Sequence, residues 1–132
     1  MPQQLEMVLR LLLAAALGAI IGFQRERASK PAGARTLGLV GVGSGLFGVI
    51  SMLGFAGGNP SMIAAGVVTG VGFLGAGAIL HRHGGIEGLT TAATIWVTAG
   101  IGLAAGAGLY IIAPAVTAMA LIILILPHKE IK

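Results

Sequence analysis

Residues 36–80 read TLGLVGVGSGLFGVISMLGFAGGNPSMIAAGVVTGVGFLGAGAIL, forty-five positions without a charged residue or a histidine. A membrane-spanning helix needs about 20 apolar residues, so this stretch is long enough for two spans and a connecting turn. The turn is predicted at residues 54–61, GFAGGNPS, where glycine, asparagine and proline interrupt the helical pattern. The stretch therefore predicts two helices that cross a lipid bilayer.

The composition of the whole chain points to the same solvent. Of the 132 residues, 56% are hydrophobic and only 9% are charged, whereas a soluble domain carries about 25% charged residues. The length suits one domain, residues 1–132. Cysteine is absent from the chain, which excludes disulfides, thiolate metal sites and a cysteine nucleophile.

Two further stretches complete the bundle. Residues 88–127 are also free of charge and histidine, with a break near AAGAG at 104–108, and residues 5–23 form an apolar stretch long enough to span a bilayer. We predict an all-α, polytopic membrane bundle of five transmembrane helices, at about 5–23, 37–55, 62–80, 88–104 and 108–126. Pro114 lies inside the fifth segment and is predicted to kink it.

The basic residues predict the orientation of the bundle, because cytoplasmic loops carry an excess of lysine and arginine. With five spans, seven of the eight basic residues lie on one side of the membrane and Arg10 alone lies on the other. The N-terminus is therefore predicted outside and the C-terminus in the cytoplasm. Since the net charge of +4 is explained as a topology signal, no nucleic-acid partner is expected.

Glycine pairs spaced four residues apart recur in four of the predicted spans. They lie at positions 18/22, 41/45, 66/70 and 102/106. Lipid tails are as apolar as leucine, so membrane helices associate by close packing, which small residues allow. The four pairs predict a compact bundle.

The octet GVGFLGAG at residues 70–77 has the G-x-G-x-x-G spacing of a dinucleotide-binding turn. Such a turn follows a strand and precedes an acidic residue by about 20 positions, whereas this octet lies inside a charge-free stretch. We interpret it as a continuous helix with neighbours on both sides, rather than a locally unwound one. The predicted helix-packing positions are Gly66, Gly70, Gly72, Gly75 and Gly77.

Polar residues in or beside the spans are the candidates for function. Thr90, Thr94 and Thr98 recur every four residues and predict one polar stripe, which either bonds carbonyls of its own helix or lines an ion path. Glu6 and Arg10 lie one helical turn apart and can pair near the interface. No nucleophile and base combine in the sequence, so an enzyme is not expected, and no cofactor is predicted.

Three stretches resemble the membrane domain of the MgtC/SapB family. They are IGFQRERASKPAGARTLGLV at 21–40, NPSMIAAGVVTGVGFLGAGAIL at 59–80 and GLTTAATIWVTAGIGLAAGAGLY at 88–110. The resemblance implies a multi-pass protein of the bacterial inner membrane, linked to magnesium homeostasis, virulence and control of the proton-driven ATP synthase. The family's soluble C-terminal domain is expected to be missing.

The resemblance also implies which polar residues matter. Gln24 and Asn59 stand where the family often has acids, so a metal site is placed in doubt and its ligands stay unknown. The functional polar cluster carried over from the family consists of Arg25, Glu26, Lys30, Arg35, Thr36, Thr90, Thr91 and Thr94.

Two functions remain open from the sequence. The first is a membrane regulator that acts through helix–helix contacts on another membrane protein or on itself, and the second is a transporter or channel for Mg²⁺ or another cation. Only four glutamates and no aspartates are present, while hard cations prefer several oxygen ligands, so the regulator is favoured. The expected partners are membrane lipids, a second copy in a symmetric dimer and a further membrane protein.

Overall fold

The computed structural model describes residues 2–53, 59–82 and 85–126, and for residues 80–82 and 85–87 only the backbone. The described chain is built from five helices, which confirms the all-helical prediction. Each predicted segment overlaps one of them: α1 (Pro2–Arg27), α2 (Ala34–Leu53), α3 (Pro60–Ala78), α4 (Leu89–Gly106) and α5 (Ile112–Leu124). Most of the turn predicted at 54–61 lies outside the described residues.

Helices α1, α2 and α4 form the packed centre, through the predicted glycine pairs. A Cβ atom at Gly18 would overlap the Leu37 carbonyl, and one at Gly41 would overlap the Ala14 carbonyl, so α1 and α2 run antiparallel with their backbones in contact. A Cβ at Gly102 would overlap the Gly41 carbonyl in the same way. Three of the four glycine pairs therefore hold helices together as predicted.

Helix α3 is a continuous helix, which confirms that reading of the GVGFLGAG octet. It begins at Pro60, and the Asn59 side chain caps it by accepting a 3.0 Å hydrogen bond from the Ser61 backbone N–H. Its buried residues are only Val71 and Gly75. The expectation of neighbours on both sides is therefore wrong within the described chain, because α2 and α4 both pack on one side of α3.

A short β-hairpin joins α3 to α4 where a helix to residue 80 and then a loop were predicted. Strands β1 (Leu80–Arg82) and β2 (Gly85–Glu87) pair antiparallel, with Leu80 opposite Glu87. Helix α3 ends before β1 because Ile79 has an extended backbone. Gly88 then starts α4 with a φ of 92°, and a Cβ there would overlap the Ala78 carbonyl, so only glycine fits.

The last helix is shorter than predicted and begins later. Helix α5 has 13 residues, a rise of about 20 Å, which is less than the roughly 30 Å of a bilayer core. The predicted kink required Pro114 to lie in the interior of the helix. Pro114 lies in the first turn of α5 instead, so the predicted kink is wrong. A proline is tolerated there because the first backbone N–H groups of a helix have no intrahelical acceptor.

Helices α1 to α4 are each long and apolar enough to cross a membrane, so the chain is a multi-pass membrane protein. The loop of residues 28–33 and the β-hairpin lie at the same end of the bundle, because α2 and α4 run parallel and start there. This end is called the loop end below. The predicted outward N-terminus and cytoplasmic C-terminus remain a prediction.

Candidate functional site

Arg25 is a buried guanidinium at the loop end. It is 4% exposed, because it continues the buried row of α1 that includes Ala14, Gly18 and Ile21. The spacing of four, three and four residues keeps this row on the helix face that meets α2 and α4. The sequence therefore directs a charged side chain into the bundle at the point where α1 ends.

Two hydrogen bonds of Arg25 connect three parts of the chain. Its Nε donates to the Pro31 carbonyl in the loop at 3.2 Å, and its Nη2 donates to the hydroxyl oxygen of Thr91 on α4. A buried cation is costly unless its N–H groups find acceptors. Arg25 and Thr91, both members of the predicted polar cluster, are thus brought together by the fold.

Glu26, the next residue, bonds to α2, whereas Arg25 bonds to α4. Its carboxylate accepts a 2.8 Å hydrogen bond from the backbone N–H of Ala34, the first residue of α2. A negative charge is favourable at a helix N-terminus, where unpaired N–H groups create a partial positive charge. Gly33 makes room for this contact, since a Cβ there would overlap the carboxylate.

Four further members of the predicted cluster lie on the surface, whereas Thr94 is buried on α4. Lys30, Arg35, Thr36 and Thr90 are all exposed. The predicted cluster is therefore divided between a buried contact, Arg25 with Thr91, and an exposed, basic rim at the loop end. A functional role for these four surface residues stays a prediction.

The threonines of α4 form a buried row that differs from the predicted stripe. Thr91, Thr94 and Thr98 are buried, whereas Thr90 is exposed. The spacing of three and four residues follows the helix surface more closely than the constant spacing of four that was predicted. Thr94 donates a 2.7 Å hydrogen bond to the Thr90 carbonyl, which is the local bonding expected of threonine in membrane helices.

Two buried polar atoms on this side of the bundle lack a hydrogen-bond partner in the described part of the chain. They are the Thr98 hydroxyl, on a residue that is 0% exposed, and the Gln24 side-chain oxygen. No group of three histidine, aspartate or glutamate residues comes together within residues 2–53, 59–82 and 85–126. The polar chemistry available along the row is therefore that of hydroxyls and one guanidinium.

A second polar network, at the opposite end, was only half predicted. Arg10 pairs with Glu6 at 2.7 Å, as expected. It also donates 3.1 Å hydrogen bonds to the Tyr110 hydroxyl and to the Gly106 carbonyl. One sequence feature could have indicated Tyr110 as a partner of Arg10: it is the one tyrosine of the chain, and it directly follows the glycine-rich break after α4.

The five glycines predicted to pack α3 occupy different surroundings. Gly75 lies 3.5 Å from Ala92 of α4, measured from an ideal Cβ position. For Gly66, Gly70, Gly72 and Gly77, no heavy atom of the described chain lies within 4 Å of that position. Packing of these four against another chain stays a prediction.

The fold and this polar interior define a multi-pass α-helical membrane protein whose centre is held by glycine contacts. Comparison with known proteins gives the family. The MgtC family matches residues 11–130, and the chain belongs to this family. Membership in it is consistent with a location in the bacterial inner membrane, and it confirms the resemblance noted in the sequence.

Individual relatives share close to half of their aligned residues with the chain. The protein named "Putative magnesium transporter YhiD" of Escherichia coli K12 is 48% identical over 94% of this chain and 61% of its own length. Protein SrpB of Synechococcus elongatus is 47% identical over 76% and 63%. Protein MgtC of Salmonella typhimurium 14028s is 45% identical over 76% and 43%.

The chain thus spans between 43% and 63% of the length of these curated relatives. No solved structure matches the chain.

Proposed function

We propose that this chain is a membrane regulator linked to magnesium homeostasis, which acts by binding other membrane proteins through helix α3. The observation that carries the proposal is an exposed strip of small residues on α3, called here the outer face. It consists of Ala65, Thr69, Gly72 and Ala76, all exposed. Their spacing of four, three and four residues places them on one side of the helix.

The outer face has the properties of a helix-docking surface in lipid. Small residues let two helix backbones approach closely, and bulky exposed side chains, Met62 and Phe73, border the strip. The simplest partner is a second copy in a symmetric dimer. The proton-driven ATP synthase is the other partner that the family resemblance implies.

The link to magnesium rests on the relatives. One relative is named MgtC, and another is named "Putative magnesium transporter YhiD". We extend a magnesium-related role to this chain on that basis, and the same resemblance supports a role in virulence.

Contacts between α2 and α4 support regulation over transport by one copy. The two backbones meet so closely that a Cβ at Gly102 would overlap the Gly41 carbonyl, and one at Gly106 would overlap the Gly45 carbonyl. Mg²⁺ gives up its water shell reluctantly. A hydrated ion therefore has no room between these two helices.

Cation transport is the second candidate function. It is supported by the buried row of Thr91, Thr94 and Thr98, and by the Thr98 hydroxyl, which finds no hydrogen-bond partner among the described residues. Flux of Mg²⁺ into dye-loaded liposomes, above that of empty vesicles and lost in Thr98→Val, would favour this candidate over the regulator.

The regulator is tested by purification from native membranes in mild detergent. We expect wild type to elute as a dimer or with a stoichiometric partner, and Ala65→Leu and Gly72→Leu to lose it, because leucine keeps the backbones apart. Ala93→Leu, an exposed small residue on α4, is the matched control and should behave as wild type. A wild-type protein that is monomeric and alone would overturn the proposal.

A further inference from the structure

We propose that a groove between α2 and α3 binds one acyl chain of an anionic phospholipid, whose phosphate contacts Arg35 and Thr36. The groove, called the α2/α3 groove, has a volume of about 440 Å³. Leu39 and Phe47 of α2 mark its two ends on one wall. This site is separate from the outer face and does not depend on the proposed function.

The groove stays open because three glycines line it. An ideal Cβ at Gly43, Gly66 or Gly70 would have no heavy atom of the described chain within 4 Å. Gly41 and Gly102, in contrast, lie in contact with a neighbouring backbone. In a bilayer, the apolar occupant available to an open groove is a lipid tail.

The distance from the proposed phosphate contact to the inner end of the groove matches one leaflet of the membrane. From Thr36, which precedes the first groove residue Leu39 by about one turn, to Phe47 there are eleven residue steps, a rise of about 17 Å. The hydrocarbon core of one leaflet is about 15 Å, half of a bilayer core of roughly 30 Å. An acyl chain lying in the groove would therefore reach from the interface to the bilayer midplane.

The loop end of the groove carries the matching charge. Thr36, Val40, Gly43 and Phe47 share one face of α2, so Thr36 lies directly in line with the groove. Thr36 and its neighbour Arg35 are exposed, and arginine can hold a phosphate with two parallel hydrogen bonds.

The acid at the end of α1 is outnumbered by cations. Glu26 keeps its negative charge while it accepts the hydrogen bond from the Ala34 backbone N–H, but Arg27, Lys30 and Arg35 of the same loop end are all exposed. A phosphate at the first turn of α2 therefore meets a basic rim, and a zwitterionic headgroup would gain less from it.

The size of the groove favours a lipid chain over a helix from a second copy. A helix segment as long as the groove, about 12 Å from Leu39 to Phe47, and roughly 10 Å in diameter occupies about 900 Å³, twice the volume of the groove. Such a helix would lie across the mouth of the groove and leave its floor unfilled.

The test uses a phosphatidylglycerol probe with a photoreactive diazirine on its acyl chain, in vesicles of phosphatidylcholine. We expect crosslinks concentrated on residues 39–47 and 63–74. Gly70→Leu and Gly43→Leu should abolish them, because each leucine would project into the groove from a position whose Cβ meets no atom of the described chain. Gly72→Leu, on the outer face of the same helix, is the matched control and should keep them.

The headgroup contact is tested with a second pair of variants. Arg35→Gln should weaken the competition of unlabelled phosphatidylglycerol by about tenfold, as expected for a lost charge-assisted hydrogen bond. Arg27→Gln, another exposed arginine of the loop end, should change it little, and phosphatidylcholine should compete weakly throughout.

Three results would overturn the proposal. The first is crosslinking spread evenly over all helices, and the second is crosslinking that persists in both Gly70→Leu and Gly43→Leu. The third is a cysteine crosslink between groove residues of two copies, which would make a second chain the occupant. An equal effect of Arg35→Gln and Arg27→Gln would remove the phosphate contact.

Discussion

Arg10 donates a 3.1 Å hydrogen bond from its Nη1 to the backbone carbonyl of Gly106, the last residue of α4. A cation at a helix C-terminus is favourable, because the last carbonyls lack intrahelical partners. The guanidinium is further held by Glu6 and by the Tyr110 hydroxyl. This contact fixes α1 to the turn between α4 and α5, at the end opposite the loop end.

Replacing Arg10 by glutamine should therefore lower stability by about 1–3 kcal/mol, the range for losing hydrogen bonds of a charged group. Thermal unfolding in detergent would show a lower midpoint than wild type. Arg27→Gln, which removes an exposed arginine of the same helix, should leave the midpoint nearly unchanged. Equal midpoints for Arg10→Gln and wild type would show that the network contributes nothing.

Gly102 and Gly100 should respond to alanine with opposite signs. A Cβ at Gly102 would overlap the Gly41 carbonyl, whereas around Gly100 the described chain leaves open space. Gly102→Ala should destabilise the bundle by about 1–3 kcal/mol through overpacking. Gly100→Ala should stabilise α4 by up to about 1 kcal/mol, because alanine favours a helix. The order of the two unfolding midpoints is the measurement, and a reversed order would contradict the packing.

Thr91→Val should destabilise more than Thr90→Val. The Thr91 hydroxyl accepts a hydrogen bond from the buried Arg25, and its loss leaves part of a buried guanidinium without an acceptor, at a cost of about 1–3 kcal/mol. Thr90 is exposed, so its side chain should matter by no more than about 0.5 kcal/mol. Similar unfolding midpoints for the two variants would argue against the Arg25 contact.

Thr98→Val should be neutral or stabilising. Its hydroxyl is buried without a partner in the described part of the chain, and valine has nearly the same shape without the desolvation cost of an unpaired hydroxyl. A clear fall in the unfolding midpoint would mean that the hydroxyl bonds a water or an ion, as the transport candidate requires.

The orientation of the bundle can be measured directly, because the chain has no native cysteine. Single cysteines at Lys30 and at Gln3, both exposed, lie near opposite ends of α1. In intact cells with a permeabilised outer membrane, a membrane-impermeant maleimide should label the cysteine at Gln3 but not the one at Lys30. The reverse pattern would refute the predicted outward N-terminus.

Much of the architecture could be predicted because a bilayer restricts what a chain can do. Backbone polar groups in lipid must bond within a helix, so a stretch such as 36–80 had to form helices. The glycine pairs at 18/22, 41/45 and 102/106 were found by spacing alone, since close approach in lipid needs small residues. The pair of Glu6 and Arg10 was found because a helix brings residues four apart together.

The errors fall where distant parts of the chain meet. The buried row on α4 begins at Thr91 rather than at Thr90, and its position depends on which face meets α1 and α2. The β-hairpin and the left-handed Gly88 depend on how closely α3 and α4 approach. The spacing of residues along one helix could not reveal these features, because spacing alone does not say which face of a helix meets its neighbours.

Composition, the length of the apolar stretches and ordered local motifs were enough to show that this protein lies in lipid, that it is built from five helices, and that it belongs with the MgtC family. The packing of the helices, in contrast, settled which glycines are in contact and which line an open groove, because identical glycine pairs differ solely in what packs against them. It likewise decided that Arg25 is buried against Thr91 while Arg35 faces outward, since that depends on how three helices pack together.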